Sequence, residues 1–256
     1  MSTLLQIIAT PHQNGNSQTR HLADSFLEAW LTVHPSGVVE TLDLSTLQLP
    51  PLDEPMVSVL FDQPSAAAPD QLALRRRTLD RLVAQFISAD AYLFVTPMWN
   101  FGLPHTLKHY FDLVIRPGWT FSIGPEGPVG LLEGRTAYAV VTRGFDYGPD
   151  SPHPEFNHLE PHLRTLLGFM GIHDLSVVAA EGMMLPGAAE RMAEARRAAT
   201  AMGLGLVAAY GGAAGQRGSG AAGQRGNKSN RHPGTSRDPD APEHRTPACA
   251  GVTISE

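Results

Sequence analysis

Residues 96–104 concentrate side chains that could hold a flat ring. The segment has the sequence TPMWNFGLP and directly follows an apolar run. Proline cannot continue a central strand, so the run ends there. Large apolar side chains are costly on an exposed loop unless a partner covers them. We therefore expect Met98, Trp99 and Phe101 to contact a planar aromatic ring, with Asn100 bonding its edge; the alternative is that they pack beneath the loop.

Hydroxyl and amide groups follow the first apolar run of the chain, on a loop that leads into a helix. The candidates are Thr10, Ser17, Gln18 and Thr19. Free N–H groups and the helix dipole favour a phosphate at such a position. The loop matches neither the Gly-Lys-Ser/Thr ending of a triphosphate loop nor Gly-x-Gly-x-x-Gly. A mononucleotide monophosphate therefore fits better than a triphosphate; the alternative is that Asn16 or Ser17 only caps the helix.

A third candidate loop follows a later apolar run and contains Thr142, Arg143, Gly144 and Phe145. Thr142 can donate a hydrogen bond to the polar edge of a ring. Gly144 permits a close approach of the backbone or a positive φ. The alternative is an ordinary turn between a strand and a helix.

The three loops belong to an alternating pattern of apolar strands and amphipathic helices. Strands are predicted at residues 4–9, 38–42, 91–95, 136–141 and 175–180. Helical spacing of apolar residues recurs at 22–30, 72–86, 107–114, 159–170 and 188–206. The pattern indicates an α/β fold with a doubly wound parallel sheet. Five strands favour the flavodoxin-like order 2-1-3-4-5, which brings the loops after strands one, three and four to one edge.

Two segments between these elements are rich in glycine or proline. Residues 118–130 predict a surface hairpin or lid, in which Trp119 and Phe121 could cover a planar ligand. The segment after the second strand is predicted to be a loop, and its prolines are Pro50, Pro51, Pro55 and Pro64.

The composition changes near residue 210. Residues 211–256 contain nine Gly, four Pro and two copies of the sequence AAGQRG. Of the large apolar and aromatic types Leu, Ile, Met, Phe, Trp and Tyr, they contain a single residue, Ile254. Such a segment buries too little apolar surface to offset its chain entropy. We predict one domain at 1–210 and a disordered low-complexity tail at 211–256, inert rather than RNA-binding.

Charge and cysteine content exclude several classes of protein. The net charge of -6 argues against a nucleic-acid binder. The single cysteine, Cys249, allows no disulfide framework and no Cys-based zinc site, which fits the cytoplasm. We find no signal peptide and no run of about 20 apolar residues, so no membrane association is predicted.

Two histidine pairs have the i, i+4 spacing of a helical metal site. The pairs are His105 with His109 and His158 with His162. A third, acidic ligand is not evident, so we expect a solvated or subunit-facing surface and no metal.

The motif at residues 97–104, followed by Leu107-Lys108 and Phe111-Asp112, resembles the FMN-dependent NADH:quinone oxidoreductase and NADH-azoreductase family. The resemblance extends over nearly all of residues 3–208. It implies a flavodoxin-like homodimer with one tightly bound FMN per subunit. It also implies NADH or NADPH as electron donor, and two-electron ping-pong reduction of quinones and aromatic azo compounds.

The resemblance further implies where FMN would lie. The phosphate would contact Ser17, Gln18 and Thr19, with Thr10 at the start of the loop. The isoalloxazine would lie along residues 98–101. Its pyrimidine edge would meet residues 142–145, where Phe145 replaces a common second glycine.

No side chain is expected to be an obligate acid or base, because the cofactor carries the redox chemistry. Two other functions stay open at this point. One is a flavodoxin-like electron carrier. The other is a non-catalytic flavodoxin-like binding or regulatory protein.

Overall fold

The computed structural model describes residues 2–12 and 17–206. The tail predicted at 211–256 and the candidate cap Asn16 lie outside the described residues.

A five-stranded parallel sheet forms the centre of the domain. Its strands, in chain order, are β1 (Thr3–Ile8), β2 (Val38–Asp43), β3 (Ala91–Pro97), β6 (Thr136–Thr142) and β7 (Asp174–Ala180). The spatial order is β2-β1-β3-β6-β7, with every neighbouring pair parallel. Counted within this sheet alone, the order is 2-1-3-4-5, as predicted. All five predicted strands are confirmed, with bounds that differ by one or two residues.

The register places the carboxyl ends of three strands side by side. Ile8 of β1 pairs with Val95 of β3, and Pro97 of β3 pairs with Thr142 of β6. The loops that leave these three strands therefore begin at one edge of the sheet.

Helices cover both faces of the sheet. They are α1 (Gln18–Val33), α2 (Glu54–Leu60), α3 (Pro69–Ser88), α4 (His105–Val114), α5 (Leu159–Phe169) and α6 (Ala188–Gly203). Buried residues of α1 and α6 share one core cluster with one face of the sheet. Buried residues of α2, α3, α4 and α5 form the core on the other face. Among the described helices, none is both long and apolar enough to cross a bilayer.

Two sequence predictions about helices were wrong. The predicted proline-rich loop contains α2, because Asp53 caps the helix by accepting the Met56 N–H at 3.2 Å and Pro55 occupies the first turn, where its missing N–H costs nothing. The last helix ends at Gly203, so Leu206 lies beyond it and is 74% exposed.

The predicted hairpin is confirmed as two antiparallel strands, β4 (Phe121–Gly124) and β5 (Gly127–Gly130). Gly130 lies against the end of α5: a Cβ at this position would come within 2.2 Å of the Gly171 nitrogen. Only glycine permits this approach of two backbones.

Candidate functional site

The loop after β3 is a two-residue hairpin turn with unusual backbone angles. Trp99 and Gly102 exchange N–H···O bonds of 3.2 and 3.0 Å. Between them, Asn100 has φ 44° and Phe101 has φ 71°. Positive φ at both central residues is typical of a type I′ turn, which asparagine adopts readily and phenylalanine adopts only at a steric cost. Strain of this kind persists only where the surroundings fix the backbone, and it clusters at functional sites.

Contacts on both sides hold this turn. The His158 N–H, just before α5, donates to the Phe101 carbonyl at 3.0 Å. The Phe101 ring packs against Phe156 and Tyr147, at centroid distances of 5.1 and 6.1 Å. At the base of the turn, the Met98 N–H donates to the Thr142 carbonyl at 2.9 Å. A backbone hydrogen bond therefore holds the start of the loop after β3 against the end of β6.

A polar cavity of about 260 Å³ opens where the three loops meet. Thr10, Ser17 and Thr19 are buried in its wall, whereas Trp99 is 41% exposed. The residues that line it are Thr10, His12, Ser17, Gln18, Thr19, Pro97, Trp99 and Thr142. Six of the twelve predicted site residues thus share one cavity.

Two polar links fix the wall formed by α1. The hydroxyls of Thr19 and Thr142 lie 2.7 Å apart. Arg20 donates to the carbonyls of His12 and Thr10, at 2.9 and 3.3 Å, and pairs with Asp43 at 2.7 Å. Partial burial raises the pKa of Asp43, but hydrogen bonds from Ser45 and Arg20 outweigh it and hold that pKa below its usual value.

The N-terminus of α1 faces the same cavity. Ser17 is the N-cap of α1, and its hydroxyl accepts the Arg20 N–H at 3.4 Å. The first turn carries no acidic side chain. Its leading N–H groups have no acceptor within the helix, and no carboxylate of that turn competes for them, which leaves a favourable position for an anion.

The loop after β6 is held from behind by the segment after β7. Arg143 donates its N–H to Ala180, and the N–H groups of Met183 and Met184 donate to Arg143 and Gly144, all at 2.9 Å. A Cβ on Gly144 would come within 2.9 Å of the Met184 sulfur. Within the described part of the chain, the N–H groups of Gly144 and Phe145 donate to no acceptor.

The Arg143 side chain points away from the polar cavity into the protein. It is 2% exposed and donates to Glu181 at 2.6 Å. Burial raises the pKa of Glu181, and Arg143 counters this only in part. The backbone of Arg143 belongs to the predicted loop, but its guanidinium group lies in the protein interior.

A second, apolar cavity of about 370 Å³ lies on the other side of the hairpin turn. Phe101 and Phe145, both predicted site residues, are 43% and 49% exposed. The residues that line this apolar cavity are Phe101, Phe145, Asp146, Tyr147, Pro152, His153, Phe156 and Leu185. Asn100 is exposed on the turn between the two cavities, and Met98 is half-buried against the core.

Sequence reasoning missed several of these residues. Tyr147 and Phe156 are far along the chain from Phe101, and no periodicity linked them to the turn. The available signal was aromatic side chains within a polar, proline-containing segment, residues 145–156. Among the described residues, no group of three or more His, Cys, Asp or Glu has the geometry of a metal site.

Comparison with known proteins gives consistent results. The family model described as flavodoxin-like fold matches residues 2–202. An FMN-dependent NADH:quinone oxidoreductase of Hydrogenovibrio crunogenus is 41% identical over 186 residues, 72% of this chain and 89% of the relative. One of Nostoc punctiforme is 35% identical over 199 residues, covering 77% and 96%.

Solved structures resemble the chain as well. An azoreductase from Bacillus anthracis strain Sterne has a TM-score of 0.73 at 26% identity, covering 80% of this chain and all of that one. An FMN-dependent NADH-azoreductase from strain Ames Ancestor, solved in complex with FMN, has a TM-score of 0.73 at 25% identity, covering 80% and 99%. The chain therefore belongs to the flavodoxin-like family of FMN-dependent NADH:quinone oxidoreductases and azoreductases.

Proposed function

We propose that the protein is an FMN-dependent NAD(P)H oxidoreductase. It reduces quinones by two electrons in a ping-pong cycle, and it reductively cleaves aromatic azo compounds. The observation that carries this proposal is that a polar cavity at a helix N-terminus and an apolar, aromatic cavity lie on the two sides of one strained turn. A monophosphate and a flat heterocycle are the two ends of FMN.

The residues present fit this cofactor. The phosphate would be held by the first turn of α1 and the hydroxyls of Thr10, Ser17 and Thr19, where no acidic side chain of that turn repels it. The ring would lie along residues 98–101. The N–H groups of Gly144 and Phe145, which have no acceptor among the described residues, would face its polar edge.

When bound, FMN supplies the two-electron redox chemistry. The protein supplies position and electrostatics. Backbone donors fixed before the cofactor binds need not reorganise as negative charge develops on the ring, which is the basis of electrostatic preorganisation. Trp99 and Phe101 would cover apolar ring surface and exclude water. We assign no side chain an obligate acid or base role.

Steady-state kinetics tests this function. We expect the FMN-loaded protein to oxidise NADH with a quinone, and double-reciprocal plots at several quinone concentrations to give parallel lines. Flavin that NADH does not reduce would indicate an electron carrier instead. A protein that stays colourless in excess FMN would indicate a non-catalytic binding protein and contradict the proposal.

We further propose a homodimer in the cytoplasm. Phe101, Phe145 and Phe156 are exposed together in the apolar cavity beside the turn, and a second subunit would form the missing wall of that cavity, over the ring. One cysteine in the chain, and therefore no intramolecular disulfide, is compatible with a reducing compartment. Light scattering coupled to size-exclusion chromatography should give about twice the chain mass of 27.5 kDa; a monomer would contradict the dimer.

A further inference from the structure

Arg143 is a buried cation with incomplete compensation. Its Nη1 donates to Glu181 at 2.6 Å, whereas its Nη2 lies 3.7 Å from Glu160, too far for a hydrogen bond. Nε and Nη2 have no hydrogen-bond partner among the described residues. Glu181 therefore provides most of the stabilisation that this charge requires in the interior.

The two carboxylates connect Arg143 to the loops of the site. The second oxygen of Glu181 accepts the Tyr147 N–H at 3.2 Å, at the end of the loop after β6. Glu160 lies in the first turn of α5 and accepts from Arg164 at 2.8 Å. We call Arg143, Glu160, Arg164 and Glu181 the Arg143 cluster.

The cluster also reaches the strained turn after β3. Two residues before Glu160, the His158 N–H donates to the Phe101 carbonyl at 3.0 Å, so the start of α5 holds that turn. The phosphate end of the site depends instead on α1 and β1, with which the cluster makes no hydrogen bond among the described residues. The cluster thus touches two of the three loops, both at the ring end.

We propose that Arg143 is a positioning residue for the flavin ring, fixing the loop at 144–147 and the turn at 100–101 through Glu181 and Glu160. It acts through the backbone of those loops rather than by contact with the cofactor. The proposal rests on the proposed function. Breaking a buried ion pair leaves an uncompensated charge, so the loops must shift to solvate it and lose their preorganised geometry.

The test measures binding of two ligands, FMN and riboflavin, by quenching of flavin fluorescence. Riboflavin has the same ring and no phosphate. The variants are Glu181→Gln, which keeps the side-chain volume and an acceptor for Tyr147, and Arg143→Met. The control is Arg76→Met, which removes an ion pair of 2.7 Å between two exposed side chains, Arg76 on α3 and Asp62.

We expect both cluster variants to weaken FMN and riboflavin by the same factor, about tenfold or more, as for loss of a charged hydrogen bond. The ratio of the two dissociation constants should stay within about twofold of wild type, because the phosphate end is unaltered. The control should change neither constant. The double variant should bind flavin no more weakly than Arg143→Met, since the two residues act as one unit.

Two results would overturn the proposal: a folded variant whose affinities for both flavins equal those of wild type, or a loss confined to FMN. A purely structural role would lower the melting temperature and leave the affinity of the folded protein unchanged. If Arg143→Met does not fold, the near-isosteric Glu181→Gln variant decides alone. Wild-type protein that binds neither flavin would instead refute the proposed function.

Discussion

Two threonine hydroxyls join the first turn of α1 to the end of β6. Thr19 is 4% exposed, and its Oγ1 lies 2.7 Å from that of Thr142. Both residues line the polar cavity, so this contact fixes the first turn of α1 relative to the loop after β6. This hydroxyl pair thereby connects the phosphate end of the site to its ring end.

Thr19→Val removes the hydroxyl and keeps the shape of the side chain. We expect the affinity for FMN to fall about five- to thirtyfold, the cost of one lost hydrogen bond that also leaves a partner unpaired. Titration with FMN measures it. The control is Thr32→Val on the same helix, whose exposed hydroxyl donates to the Glu28 carbonyl. Equal affinities for wild type and Thr19→Val would contradict the assigned phosphate end.

The Arg20–Asp43 pair predicts how stability depends on pH. The pKa of Asp43 is lower in the folded protein than the usual 3.8. The ionised carboxylate therefore stabilises the fold at pH values above 3.8, the usual pKa. This stabilisation is lost as the pH falls through the lower pKa that Asp43 has in the folded protein. Asp43→Asn should be less stable than wild type at pH 7, and the difference should shrink towards pH 3.

Urea unfolding between pH 3 and 7 measures this difference. Asp24→Asn is the control, because Asp24 is exposed on α1 and has no ion pair among the described residues. A stability difference for Asp43→Asn that is constant over the whole pH range would show that the ion pair is not its source.

At the scale of elements, the strain in the turn at residue 101 can be measured directly. Phe101→Ala and Phe101→Gly lose the same aromatic contacts, but only glycine adopts φ 71° without a steric cost. The Gly variant should exceed the Ala variant in free energy of unfolding by about 1 kcal/mol.

Chemical denaturation of the apoprotein provides that comparison. Phe61 is the control position, since it is 61% exposed and has φ -111°. There the Gly variant should be no more stable than the Ala variant. The same order of stabilities at both positions would mean that the turn after β3 is unstrained.

Two helical glycines should respond in opposite directions to alanine. A Cβ on Gly203 of α6 would come within 2.4 Å of the Phe26 carbonyl on α1, so Gly203→Ala should destabilise by about 1–3 kcal/mol. On Gly168 of α5 the nearest atom is 3.6 Å away, and Gly168→Ala should stabilise by about 0.5–1 kcal/mol. Thermal unfolding checks both; a neutral Gly203→Ala would show that α1 and α6 pack less closely.

Periodicity predicted most of the elements because their apolar residues are buried. Strand β3 is buried at six of its seven positions, and the run of apolar residues that this burial requires predicts the strand from sequence. Helix α2 was missed because it is seven residues long and starts among prolines, where composition indicates a loop. The type I′ turn was missed because Phe101 is a residue that no turn preference places at positive φ.

At the scale of the whole molecule, the order of the strands made the site predictable. Once strands one, three and four were neighbours, their loops had to begin at one edge. Sequence could not predict which side chains of each loop face the ligand. Arg143 points into the interior because Glu181 and Glu160 lie behind it, and Phe156 joins Phe101 through a contact between distant segments.

The most direct test of the central claim is a crystal structure of the full chain with FMN. The phosphate should lie within hydrogen-bond distance of the N–H groups at residues 17–19. The ring should contact Trp99 on one side and receive N–H donors from Gly144 and Phe145 at its edge. FMN bound elsewhere, or a rim closed by its own side chains, would contradict the account.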